Sequence, residues 1–197
     1  DLVRSRGLGD VYKRQIDVLR ARVERDGEDF AARISLATLL REEGRHDPAL
    51  EMVRAVLIRE PNNVDALLEV ARIYRAREQY EVAVLVIEKA LTLAGTSDGT
   101  RRARLQYERG LLELARGDTQ AAFDAFGEAN RADPNFRPAR RNQAAVLMRA
   151  GDYAGAAAEL EALLRVDAND QDTHVAHAVA LRGQGRHQQA RAELEAV

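Results

Sequence analysis

A 34-residue interval constrains this chain more than any other feature. Ala49 and Ala83 lie 34 apart, as do Ala122, Ala156 and Ala190. Gly117, Gly151 and Gly185 keep the same spacing, and so do Ala37 with Ala71, Gly110 with Ala144 and Ala178, and Pro61 with Gly95. One slip interrupts the register: Gly95 and Pro134 are 39 residues apart, which places five extra residues at 98–102. A fixed interval of this length marks one supersecondary unit repeated along the chain, each copy burying its apolar face against the next.

Within each period the apolar residues fall at helical spacing in two short blocks, such as Ile34, Leu36, Leu39 and Leu40, then Ala49, Leu50, Val53, Val56 and Leu57. Each period is therefore expected to be a helical hairpin. Gly44, Gly117, Gly151 and Gly185 stand where the first helix must end, with Asp118 and Asp152 following as N-caps of the second. Asp47-Pro48 offers another start, with Pro in the first turn. Glu60-Pro61 and Asp133-Pro134 stop the second helix, because the residue before Pro is pushed out of the α region. Ala37, Ala71, Gly110, Ala144 and Ala178 stand opposite Ala49, Ala83, Ala122, Ala156 and Ala190, so that two backbones can approach closely. Leu36, Leu40, Val53, Val70, Tyr74, Ile87, Phe126 and Leu160 are expected to fill the seams.

Composition agrees with helix and removes several functions. The 197 residues include 35 Ala, while β-branched and aromatic residues are sparse. A net charge of −2 gives no global pull toward nucleic acid or anionic lipid, and without cysteine there is neither a disulfide framework nor a thiolate site. No apolar run is long enough to span a bilayer.

Taken in order, the small residue, tyrosine, Ala, large residue and Ala of Ala71, Tyr74, Ala83, Ile87 and Ala90, and then Gly110, Gly117, Ala122, Phe126, Ala129 and Pro134, resemble the pattern of tetratricopeptide (TPR) repeats over about residues 16–197. The resemblance implies an all-α, right-handed α-solenoid of antiparallel helical hairpins, about five repeats plus a partial one. Departures stand at Arg33, Leu67, Gln106, Arg140 and His174, where an aromatic residue is usual, and at Glu78, Gly95 and Ala168, which replace Gly, Pro and Pro. Pentatricopeptide repeats, the RNA-reading relatives, fit less well in period and in the mid-helix Gly/Ala pairs.

Repeats are expected at 30–63, 64–97, 103–136 and 137–170, with an incomplete one at 171–197 and the insertion at 98–102 between the second and third. Residues 16–29, with Ile16, Leu19 and Val23, read as the second helix of a truncated repeat. Residues 1–15 show neither a helical nor a strand period and form a non-native or disordered leader; 3–15 resemble translated sequencing-adapter read-through, and Lys13 is one of only two lysines beside 28 arginines. The Arg and Ala bias points to a bacterial source and a metagenomic fragment of a longer array. The expected setting is the bacterial cytoplasm, or the periplasm or envelope if a preceding segment carries a signal.

Chemistry-bearing motifs dissolve on inspection. His174 and His177 are three apart on one helix, but no Cys or third ligand accompanies them and both fall on the hairpin seam. The run from Asp167 to Asp172 begins like a calcium loop, yet Asp172 stands where Gly is required and Ala178 where the bidentate Glu belongs. Gly183-Gln184-Gly185 lacks the third glycine of a dinucleotide fingerprint and no strand precedes it. No catalytic residue, metal site or cofactor is expected. Acids on the second helices, including Glu51, Glu88, Asp124, Glu128, Glu159 and Glu193, read as a solvated outer face.

In TPR superhelices the first helices line a concave surface that holds extended peptides or partner helices. Carried onto this chain, the candidate groove contains Arg41, Leu68, Arg72, Arg75, Arg104, Tyr107, Arg141, Asn142, Arg149 and Arg182. Its seven arginines make it more basic than the remainder, and guanidinium suits bidentate capture of carboxylates. The Lys/Asn/Arg clamp of chaperone-binding TPRs is absent: those positions read Ile34, Thr38, Glu69, Arg104 and Glu108. The resemblance therefore implies a non-catalytic scaffold for an acidic protein or peptide partner, with no nucleic acid and no membrane insertion, self-associating through uncapped ends. The alternative is a docking or regulatory arm of a larger bacterial enzyme or of a secretion, motility or envelope assembly.

Overall fold

The computed structural model describes the backbone of residues 2–195 and side chains from 12 to 195; Val197, placed by the sequence near the end of a second helix, lies outside the described residues. Eleven helices follow one another and no strand occurs among the described residues. They fall into two compact units, divided after Gly95.

The first unit contains α1 (Leu2–Arg25), α2 (Phe30–Glu42), α3 (His46–Arg59), α4 (Val64–Ala76) and α5 (Tyr80–Ala94). Helices α2 with α3 and α4 with α5 form antiparallel hairpins, α3 packs on α4, and α1 packs on α2. Leu36, Ala37, Leu40, Ala49, Leu50, Val53, Val70 and Ile73 form its core with Ile16 of α1, while Leu19, Val23 and Tyr74 pack around them. The leader expected as irregular to residue 15 instead continues the helix without a break from Leu2. Helix formation does not require amphipathic spacing: Leu, Arg, Lys and Gln are good helix formers, and Gly7 and Gly9 are the residues that oppose it most.

The second unit contains α6 (Gly99–Arg116), α7 (Thr119–Ala132), α8 (Arg137–Arg149), α9 (Tyr153–Leu164), α10 (Gln171–Gly183) and α11 (His187–Glu195), again paired as successive hairpins. Phe126 and Leu160 are fully buried, as the seam positions require. A Cβ built on Gly110 would lie 2.4 Å from the Phe126 ring, so α6 needs glycine there for α7 to seat its aromatic residue. The inserted residues become an additional N-terminal turn of α6, capped by Asp98, whose carboxylate accepts the Arg101 amide at 2.9 Å. That turn lies against the end of α7, where a Cβ on Gly99 would be 2.4 Å from the Ala132 carbonyl oxygen.

Local chemistry explains the hairpin bends. Asp118 and Asp152 cap α7 and α9 by accepting the Ala121 and Gly155 amides at 2.9 and 2.8 Å. Gly117 and Gly151 immediately before them adopt φ of 86° and 83°, which glycine reaches without a Cβ penalty. Between α4 and α5 the corresponding pair is Glu78-Gln79: Glu78 takes φ 60° despite its side chain, and Gln79 makes no side-chain cap.

Candidate functional site

The lining positions of the first unit lie on α2 and α4, which touch. Their arginines are engaged. Arg41 Nε donates to Glu69 Oε1 at 2.7 Å and Arg72 Nη1 approaches Glu69 Oε2 at 3.5 Å. The Glu69 side chain is 2 % exposed and that of Arg41 16 %, so α4 holds a buried carboxylate beneath two guanidinium groups. Leu68 is buried in the core rather than displayed to a ligand, because every residue of α4 from Ala66 to Ala71 is buried. Arg75 is half-buried and engaged. Between α1 and α2 lies a hollow of about 680 Å3 whose lining includes Val18, Leu19, Thr38 and Leu39.

The second unit is arranged differently. Tyr107 of α6 packs against Phe126 and Phe136, with ring centroids 5.8 and 5.4 Å away, and its hydroxyl accepts the Asn142 side-chain amide of α8 at 3.1 Å. Tyr107 and Asn142 thus meet as one surface. Arg141 donates to Asp170 Oδ2 at 2.9 Å; Arg137 donates to the same oxygen and, at 2.9 Å, to Asp167 Oδ2. Asp170 also caps α10 through Thr173. Burial pushes the Asp170 carboxyl upward, but the Thr173 hydroxyl and amide and the two arginines outweigh it and hold it below its ordinary value. Asp167 is lowered chiefly by Arg137 and then by the Asn169 amide.

Arg104, Arg149 and Arg182 are exposed, and none has an ion-pair or hydrogen-bond partner among the described residues. They sit on α6, α8 and α10. Val175 and Val179 of α10 are also exposed, at 50 % and 40 %.

The outer face departs from its expected uniformity. Glu51, Glu88, Asp124 and Glu128 are exposed, whereas Glu159 pairs with Arg140 at 3.0 Å and Glu193 receives both His174 and His177. The recurring ion-pair separations, 28 for Arg41–Glu69, 29 for Arg141–Asp170 and 30 for Arg77–Asp47, reflect first helices and turns one period apart. Opposite charges just short of the 34-residue period were the sequence signal for these pairs. Among the described residues no group of three His, Cys, Asp or Glu side chains could hold a metal ion, and no helix is long and apolar enough to cross a membrane.

Family models described as tetratricopeptide repeat match residues 34–99 and 113–181. The chain belongs to the tetratricopeptide repeat family. Among solved structures it is similar to TTC0263, a thermophilic TPR protein of Thermus thermophilus, at 22% identity and TM-score 0.74, covering 91% of this chain and 94% of that one. It is similar to MamA at 22% identity and TM-score 0.66, covering 86% and 90%. YrrB, described as a TPR protein with an unusual peptide-binding site, matches at 21% identity and TM-score 0.61, covering 90% and 89%. No curated protein sequence matches significantly. The all-α TPR solenoid is thus the fold, and a protein-interaction scaffold is the role the family supports.

Proposed function

We propose that the first helices of the second unit bind an extended acidic peptide, with Arg104, Arg149 and Arg182 as cationic contacts and the Tyr107–Asn142 pair beside them. The observation that carries this reading is the division among the arginines. Arg41, Arg72 and Arg141 already face carboxylates, while Arg104, Arg149 and Arg182 are exposed without partners among the described residues. An unpaired guanidinium gives up only water when a ligand carboxylate arrives; a paired one must also surrender an internal ion pair. Exposed Val175 and Val179 supply apolar surface for side chains between the acids. The role is that of a non-catalytic scaffold. YrrB, described as having a peptide-binding site, shares the fold and supports the class of ligand.

The test is fluorescence anisotropy of a labelled twelve-residue peptide of alternating Glu and Leu, beside its Lys and Leu counterpart. Binding of the acidic peptide alone is expected, weakening as salt rises. Arg104→Glu, Arg149→Glu and Arg182→Glu together are expected to weaken it roughly tenfold or more with helicity unchanged. Equal affinity for both peptides, or no effect of the triple reversal, would overturn the reading.

A further inference from the structure

The last hairpin carries a proton requirement that its geometry reveals. His174 on α10 places Nε2 2.9 Å from the Ala168 carbonyl oxygen and Nδ1 2.7 Å from Glu193 Oε1 on α11. A carbonyl and a carboxylate both only accept hydrogen bonds, so each nitrogen must carry a proton for both bonds to form. Only the imidazolium satisfies this arrangement. His177, one turn along, brings its Nδ1 to the same Glu193 oxygen at 3.0 Å.

The preceding hairpin contains the same device built from a permanent cation. Arg140 on α8 and Glu159 on α9 stand one 34-residue period before His174 and Glu193, and they pair at 3.0 Å. The final hairpin therefore replaces an arginine with a side chain that can lose its charge near neutral pH.

We infer that the His174–Glu193 pair, braced by the Ala168 carbonyl, is a proton-dependent latch that fastens α11 to α10 and releases it as the solution becomes less acidic. Charges of both signs surround the pair. Asp170 at the head of α10 adds negative potential at His174. From α9, Glu161 lines a cavity of about 610 Å3 together with His177, Glu193 and Arg186, while His187, Arg191 and Glu195 line a separate hollow of about 350 Å3 with Val175 and Arg182. The Ala168 carbonyl, then Glu193, hold His174 above its ordinary value. Burial would raise the Glu193 carboxyl, but the two histidines outweigh it and keep it below the usual range. The latch is strongest when Glu193 is ionised and His174 protonated, in mildly acidic solution; it weakens as pH rises through the elevated His174 value.

Amide hydrogen exchange of the 197-residue chain at about pH 5.5 and about pH 8, corrected for intrinsic rates, tests this directly. Protection of α11 is expected to fall roughly threefold or more on going to the higher pH, while α7 changes little. His174→Arg should keep α11 protected at both values. A ring-nitrogen NMR titration of the unmodified chain provides a reading that needs no variant, with both His174 nitrogens still protonated above the ordinary histidine value. Unchanged α11 protection, the same pH response in His174→Arg, or His174 titrating at or below its ordinary value would each overturn the latch.

Discussion

Glu78 carries a side chain in the left-handed region that Gly117 and Gly151 occupy in the second unit. Open space surrounds the corresponding glycines, so the penalty lies in the backbone of the turn and not in a collision. Glu78→Gly is accordingly expected to stabilise the first unit by about 0.5–1 kcal/mol, measured by chemical denaturation, since relief of the αL penalty exceeds the added unfolded-chain entropy. Gly110 presents the opposite case. Its backbone is ordinary helix, but the Phe126 ring occupies the volume a methyl group needs. Gly110→Ala should therefore cost about 1–3 kcal/mol despite alanine's better helix propensity, read from the shift in urea midpoint. Glu69 illustrates a charge whose value lies in its company. Replacing it with Gln leaves Arg41 and Arg72 facing a neutral amide, and a loss of about 2 kcal/mol is expected in the same denaturation assay. A neutral result there would show that the pair is dispensable to the first unit.

At the scale of elements, the hairpin bend is a two-residue instruction. Gly-Asp at 117–118 and 151–152 supplies the positive φ and then the cap, whereas 78–79 supplies the conformation under strain and no side-chain cap. Restoring both, with Glu78→Gly and Gln79→Asp, is expected to raise stability by about 1–2 kcal/mol. Asp152→Ala should lower it by about 1 kcal/mol, through loss of the cap on α9. Thermal melts followed by circular dichroism check both, and a cap swap without effect would mean that the bend is held by packing alone. Helix α6 shows how an element absorbs an irregularity in sequence. Five residues that break the period add a turn at its start, because Asp98 can cap there and Gly99 fits against the Ala132 carbonyl. Helix α1 shows where periodic reasoning stops, since residues 2–15 form helix without an amphipathic pattern to announce it.

Across the whole molecule, pH acts through groups of both signs. Asp29 is lowered by the Ala32 amide and then by Arg22, and Asp167 by Arg137; Asp170 and Glu193 are lowered by the partners that outweigh their burial. Lowered carboxyls contribute stability above their unfolded values, and this is lost as pH falls through the folded ones; His174, raised, contributes below its unfolded value and loses that as pH climbs. Thermal stability is therefore expected to peak in mildly acidic solution and fall on both sides, with His174→Arg removing the alkaline decline. A melting temperature that keeps rising to about pH 8 would contradict this. Exposed apolar groups, Val18 in one unit and Val175, Val179 and Leu194 in the other, are expected to promote concentration-dependent association, checked by sedimentation velocity between about 5 and 100 µM.

Residue order alone determined the repeat, the hairpins, the bends at Gly117 and Gly151 and the small residues at the seams, because each depends on spacing and on conformations that neighbours in the chain can enforce. Tertiary structure decided which arginines are spoken for. Arg41 meets Glu69 and Arg141 meets Asp170 only after helices almost one period apart have been stacked, so a roll of lining positions could not separate these paired cations from Arg104, Arg149 and Arg182, which have no partner among the described residues. The charge state demanded of His174 likewise emerges only when α10 and α11 close, since a proton is required at both ring nitrogens only where two acceptors converge from distant parts of the chain.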